Sequence, residues 1–393
     1  MKNVAFFFCA FILMSVIHAH AQDTSKAVFK PSVKVHGMIF GDFEYRPHSD
    51  SLLRGTTQYA GISYPSPINY SSFDVRRIYI GADFVFSKHV SGSILLANEG
   101  NTDDQRNPVF SIKEADIIWK DLYKNADLYI GRSTTPAFAL LTEQVWGYRS
   151  IEKTIADMRY IATAVDLGVA IRGRFNDQGT SGYNLMIGNG SVGTIPNGQK
   201  AEDDMFKKFY ADIWAKIFNK KIILDLYADY ERDQLTDLAT GRPFHKSKST
   251  VKGFVAYQTD AITIGVEAFI QENQNFSIFT KPGSTIADTA NAYTAGISGY
   301  VHGRIIKNKL GYFARYDAFT PDLDFNPAYT YSTGNITYNE NFMTAGFDWM
   351  PAKDLHIMPN IWVDGYHDQV AKEGRAKNDY DMSLRLTFYF VYN

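Results

Sequence analysis

Four bases and three acids share the stretch Tyr129–Tyr160: Arg132, Arg149, Lys153 and Arg159, interleaved with Glu143, Glu152 and Asp157. Guanidinium forks replace part of an anion's hydration shell, and a ring of like charge sets ion preference. Opposed acids and bases would instead orient small polar solutes by a transverse field. Further bases stand on either side. Arg77 lies upstream, and Arg172 and Arg174 lie downstream, two apart. On a strand that spacing puts both on one face, together with Asp166. Acids share the same faces of the chain: Asp42, Asp83, Glu114, Asp116, Asp212, Asp225, Asp229, Glu267, Asp317 and Asp348.

No catalytic pattern competes with this. There is no GxSxG nucleophile setting. His36, His302 and His356 fall on separate strands, where lone histidines are ordinarily hydrogen-bonded wall residues. Gly188-Asn189-Gly190 closes a strand and opens no helix, so it is not a phosphate cradle. Asp322, Asp324 and Asn326 alternate, but no terminal Glu completes a calcium loop. The reading is of a non-enzyme with no cofactor and no metal.

The elements that position these charges follow from the rest of the chain. Residues 1–21 carry Lys2, the apolar run Val4–Ile17 and Ala19-His20-Ala21, the pattern of a cleaved secretory signal peptide. The only cysteine, Cys9, lies inside it, so the mature chain has no thiol chemistry. A net charge of −2 gives no reason to expect nucleic acid. With 28 Phe and 25 Tyr the chain is rich in aromatics, yet beyond the signal it has no apolar run long enough for a membrane helix. An exported, thiol-free, aromatic-rich chain of this kind fits the other bilayer solution, a closed β-barrel.

Period-two alternation runs from Val33 to Tyr392 and predicts strands at Val33–Tyr45, Phe73–Phe86, Val90–Glu99, Phe110–Lys120, Ala126–Arg132, Thr163–Phe175, Gly182–Asn189 and Phe206–Phe218. It continues through Lys221–Glu231, Thr250–Gln258, Ile262–Gln271, Ala292–Ile305, Lys309–Phe319, Asn341–Met350, Leu355–Tyr366 and Tyr380–Tyr392. That is an all-β domain, residues 22–393, of about sixteen strands, a common size for bacterial barrels. Long and short connections alternate throughout. Short turns face the periplasm and long loops face outward in such barrels, so both termini are expected in the periplasm. In Ile262–Gln271 one face is Ile262, Ile264, Val266, Ala268 and Ile270, and the other carries Glu267 and Gln271. A charged face inside a dry core would be costly. Lipid outside and a water-filled lumen remove that cost. Tyr45, Trp119, Tyr257, Trp349, Tyr389 and Tyr392 sit at strand ends, as interfacial girdles do. The final strand alternates Leu384, Leu386, Phe388, Phe390 and Tyr392, like an outer-membrane targeting strand, with Asn393 following.

Two segments, FDVRRIYIGADFVFSKHVSGSI and YIGRSTTPAFALLTEQVWGYRSIEKTI, resemble those of the phosphate-selective porin O and P family. The resemblance is strongest over Val33–Phe175 and beyond that is one of architecture. It implies a trimeric outer-membrane barrel of sixteen strands whose third outer loop folds inward. Counting outer loops, Ser133–Ala162 is the third. The resemblance also implies an inward arginine ladder, which here would be Arg77, Arg132, Arg172 and Arg174, with Arg149, Lys153 and Arg159 at the constriction. The function expected is passive diffusion of small hydrophilic solutes, with anions such as phosphate as candidates. A non-selective general porin is the alternative, and an outer-membrane adhesion or hydrolase barrel is a further one. The partners expected are membrane lipid, small solutes and two further copies of the chain.

Overall fold

The computed structural model describes residues 29–52, 54, 68–100, 102, 107–190, 206–236, 243–332, 337–369 and 378–392. The expected signal segment, residues 1–21, lies outside them. The strands are β1 (Ser32–His48), β2 (Tyr70–Val85), β3 (Val90–Asn98), β4 (Ser111–Tyr123), β5 (Ala126–Thr134), β6 (Val165–Arg174), β7 (Ser181–Gly188) and β8 (Lys208–Ile217). They continue as β9 (Ile222–Thr236), β10 (Pro243–Gln258), β11 (Ile262–Thr280), β12 (Ala287–Ile306), β13 (Leu310–Thr320), the two-residue β14 (Thr330–Tyr331), β15 (Tyr338–Ala352), β16 (Leu355–Asp368) and β17 (Asn378–Tyr392).

Every strand but β14 pairs antiparallel with its neighbours in sequence, and β1 closes the ring. Ile39 of β1 stands opposite both Ile78 of β2 and Phe390 of β17. The result is a closed antiparallel barrel of sixteen strands; β14 only pairs two residues onto the top of β11. Closure leaves no unpaired sheet edge, which is what lets strands cross hydrocarbon. The tight turns use left-handed residues. Asn125, Asn219, Asn308 and Asp354 all take positive φ, a region Asn and Asp tolerate best after glycine.

Several strands extend past the expected ends. β10 begins at Pro243 rather than Thr250, β11 runs to Thr280 rather than Gln271, and β12 starts at Ala287 rather than Ala292. Much of these extensions is polar, and the apolar alternation that marks strands weakens there. Hydrogen bonding does not.

Side-chain direction follows the pleat. Val33, Val35, Ile117, Leu167, Leu226 and Ile264 are exposed on the outside, while Asp42, Lys208, Asp212, Asp225, Lys252 and Glu267 are buried inside. Several inward charges are paired: Lys208 Nζ lies 3.1 Å from Asp229 and 3.3 Å from Glu231, and Lys252 Nζ lies 2.7 Å from Asp225. Trp119, Tyr257 and Trp349 are exposed at strand ends. Tyr389, expected beside them, turns inward against Phe40 and His356, at ring distances of 6.1 and 5.3 Å. It is one residue out of phase with the outward row of Leu386 and Phe390.

Candidate functional site: the loop and wall inside the barrel

Residues 135–164 leave β5 and cross the lumen before entering β6. Two short helices shape them, α1 (Thr142–Trp146) and α2 (Ile155–Met158). Gly147 ends α1 at φ 69°, the left-handed cap that a glycine supplies without strain. The loop is amphipathic. Phe138, Ile155 and Ala156 pack with Tyr210, Tyr227, Phe269 and Phe319 of the wall. Val145, Trp146 and Ile151 pack with Ile223, Phe254, Tyr300 and Phe313. Trp146 is wholly buried; its ring lies 4.9 Å from that of Tyr300 and 6.4 Å from that of Phe313.

A loop inside a barrel has backbone carbonyls that no ladder satisfies. Wall side chains meet them here. Arg76 of β2 donates to the Ser150 carbonyl, Arg315 of β13 to that of Lys153, and Gln271 of β11 to that of Ile161 at 2.7 Å. His302 Nε2 lies 3.0 Å from the Val145 carbonyl. Donors from different sides of the ring therefore clamp one short segment.

The charged edge of the loop faces β2–β4. Arg149 pairs with Glu143, and with Asp157 at 3.0 Å. Its other amino group reaches the wall, 3.5 Å from the Tyr79 hydroxyl and 3.9 Å from Glu99. Glu99 in turn accepts from Lys113, and from the Tyr79 hydroxyl at 2.6 Å. Acid and base alternate across the gap: Asp157, Arg149, Glu99, Lys113.

The expected site residues do not all stand together. Arg149 and Lys153 stand at this gap, with Lys153 Nζ 3.7 Å from Asp157. Arg77 borders it, donating to the Glu99 carbonyl at 2.7 Å. Arg159 is elsewhere, wholly buried against Glu340 of β15, with Asp364 of β16 at 3.5 Å. Arg172 points inward over the Tyr129 ring at 3.8 Å and donates to the Thr134 carbonyl. Arg174 is exposed at the short-turn end of β6, away from the loop.

Arg132 corrects the expectation. Its register partners are Ala115 and Leu167, and Ala115 pairs with Ile94. Ile94 and Leu167 are exposed on the outside, so Arg132 belongs to the outward row, with its Nε on the Lys113 carbonyl. Tyr129 faces in, and a residue three further along a strand faces out.

Arg76, Tyr79, Glu99 and Lys113 were missing from the expected set. Two β-bulges account for the bases. Phe40 pairs with Arg77 but Asp42 with Asp74, so Val75 and Arg76 oppose one residue of β1. Likewise Leu95 pairs with Glu114 and Leu96 with Ile112, which leaves Lys113 extra. An inserted residue breaks the period-two parity from which facing is read. Tyr79 had the right parity but carried no charge to mark it.

Electrostatics give this gap a pH response. Burial pushes the Glu143 carboxyl above the ordinary range, with Arg149 pulling the other way. Such a carboxyl takes up a proton sooner than a free one as pH falls, while the guanidinium stays charged. The gap then gains positive charge. Acidification from neutral should move ion preference toward anions, and the move should be smaller in Glu143→Gln. A reversal potential that stays fixed with pH in the unsubstituted chain would contradict this.

No protein-family model and no curated protein sequence matches the chain. Solved structures do. The outer membrane channel DcaP of Acinetobacter baumannii superposes with a TM-score of 0.62 at 12% identity, covering 94% of this chain and 100% of that one. The anion-selective porin from Comamonas acidovorans gives 0.59 at 9%, covering 92% and 100%. OmpT of Vibrio cholerae, an outer membrane protein solved in trimer form, gives 0.52 at 12%, covering 93% and 100%. The fold is therefore that of bacterial outer-membrane porins. At these identities the likeness speaks for the fold alone.

Proposed function

We propose that the chain forms a channel in the bacterial outer membrane for passive diffusion of small hydrophilic solutes, and that the loop sets its bore. The observation that carries this is a loop held across the lumen, its charged edge bridged through Arg149 to Tyr79 and Glu99, set inside a ring with apolar residues outside and charged residues within. The channel reads as weakly selective. Phosphate preference needs guanidiniums free to grip an oxyanion, and Arg149 and Arg159 both hold carboxylates. Residues 1–21 would direct export. The trimeric form of the similar OmpT supports a homotrimer here.

Purified protein in planar bilayers should give stepwise conductance, with a reversal potential near zero across a potassium chloride gradient. Absence of conductance at every salt concentration rejects the channel. A strong anion sign together with block by added phosphate would favour the phosphate-selective reading over the general one.

A further inference from the structure

Beneath the loop tip, at the short-turn end, lies a cavity of about 870 Å³ that the gap does not use. Gly147, Tyr148 and Ser150 line it from the loop. Its other walls come from β10–β13 and β15–β17 and from the turns that lead into β9 and β11.

Its charges are not balanced. Asp348 is the one acid on its inner wall, and both of its oxygens are engaged. His356 Nδ1 lies 2.8 Å from Oδ1, and the Tyr148 hydroxyl donates to Oδ2 at 3.3 Å. Burial and the Asp348 charge both push the Tyr148 hydroxyl's pKa up, which keeps the proton on it. Asp260 on a turn is the other acid lining the cavity. Against it stand Lys220, Lys221 and Arg304, all exposed. Met350 and Tyr389 add an apolar wall. Cations at the rim and thioether and aromatic surface within suit a carboxylate carried on an apolar body.

We propose that this vestibule binds small organic anions from the periplasmic side, a property beyond weakly selective diffusion. The full chain in detergent is titrated calorimetrically with benzoate, inorganic phosphate and benzylamine. Benzoate should bind saturably, one per chain, and more tightly than either other probe. The Lys221→Ala/Arg304→Ala variant should weaken it by about tenfold or more, the loss of about 1.4 kcal/mol. Both residues are exposed near strand ends, so the barrel is expected to stay folded. Asp348→Asn should tighten benzoate, because it removes the one negative charge on the inner wall. Equal affinity for benzylamine, equal affinity for phosphate, or benzoate binding unchanged in the double variant would each overturn the site. The titration needs no current. Binding without conductance therefore rejects the channel and keeps the vestibule, and conductance without binding does the reverse.

Discussion

Arg159→Ala should lower the melting temperature of the barrel in detergent more than any other single loop substitution. The guanidinium lies wholly buried against Glu340, with Asp364 at 3.5 Å, and over the Phe319 ring at 5.0 Å. Removing it takes the guanidinium away from two buried carboxylates. Breaking a buried ion pair in this way costs about 3–5 kcal/mol, because the surviving charge has lost its compensation. Glu340→Gln combined with Arg159→Ala should recover part of the stability. Calorimetric or heat-shift melts of the three proteins test this. A melting temperature for Arg159→Ala equal to that of the unsubstituted chain would reject the role given to the pair.

Trp146→Ala should release the loop without unfolding the barrel. The indole fills the space between Tyr148, Tyr300, His302 and Phe313, and its Nε1–H donates to the Glu152 carbonyl at 2.8 Å. Truncating a buried Trp costs about 3–5 kcal/mol. The barrel ladders do not pass through it, so the loss falls on loop docking. The expected results are larger and noisier single-channel steps and faster proteolysis within the loop, with the melting temperature nearly unchanged. Steps of unaltered size would show that the loop does not limit the bore.

The two substitutions divide the loop into parts held by different forces. Arg159 is tied to the wall by charge, near the outer ends of β15 and β16. Trp146 is tied by packing, near the short-turn end of β12. Between them Arg149 bridges to Tyr79 and Glu99. Loops of this length are uncommon unless they have a function, and this one is anchored at three heights in the lumen.

Much of this was legible in the chain itself. Alternation of small turns and long loops, and apolar residues at every second position, are local properties, and together they specify a closed antiparallel barrel and its inside and outside. The segment Ser133–Ala162 could be singled out for the same reason, because a long connection of mixed charge interrupts a regular pattern. Which charges meet was another matter. Arg76 and Lys113 turn inward only because each sits in a bulge, and a bulge is a property of two paired strands rather than of one. Arg132 faces outward because its row is fixed by Ala115 and Leu167. Arg149 and Arg159 meet different wall acids, Glu99 and Glu340, far away in sequence. Period and composition determined the barrel, since backbone hydrogen bonding in lipid admits few alternatives. Only the tertiary structure decided the site, since ring closure and register bring together residues that no local pattern relates.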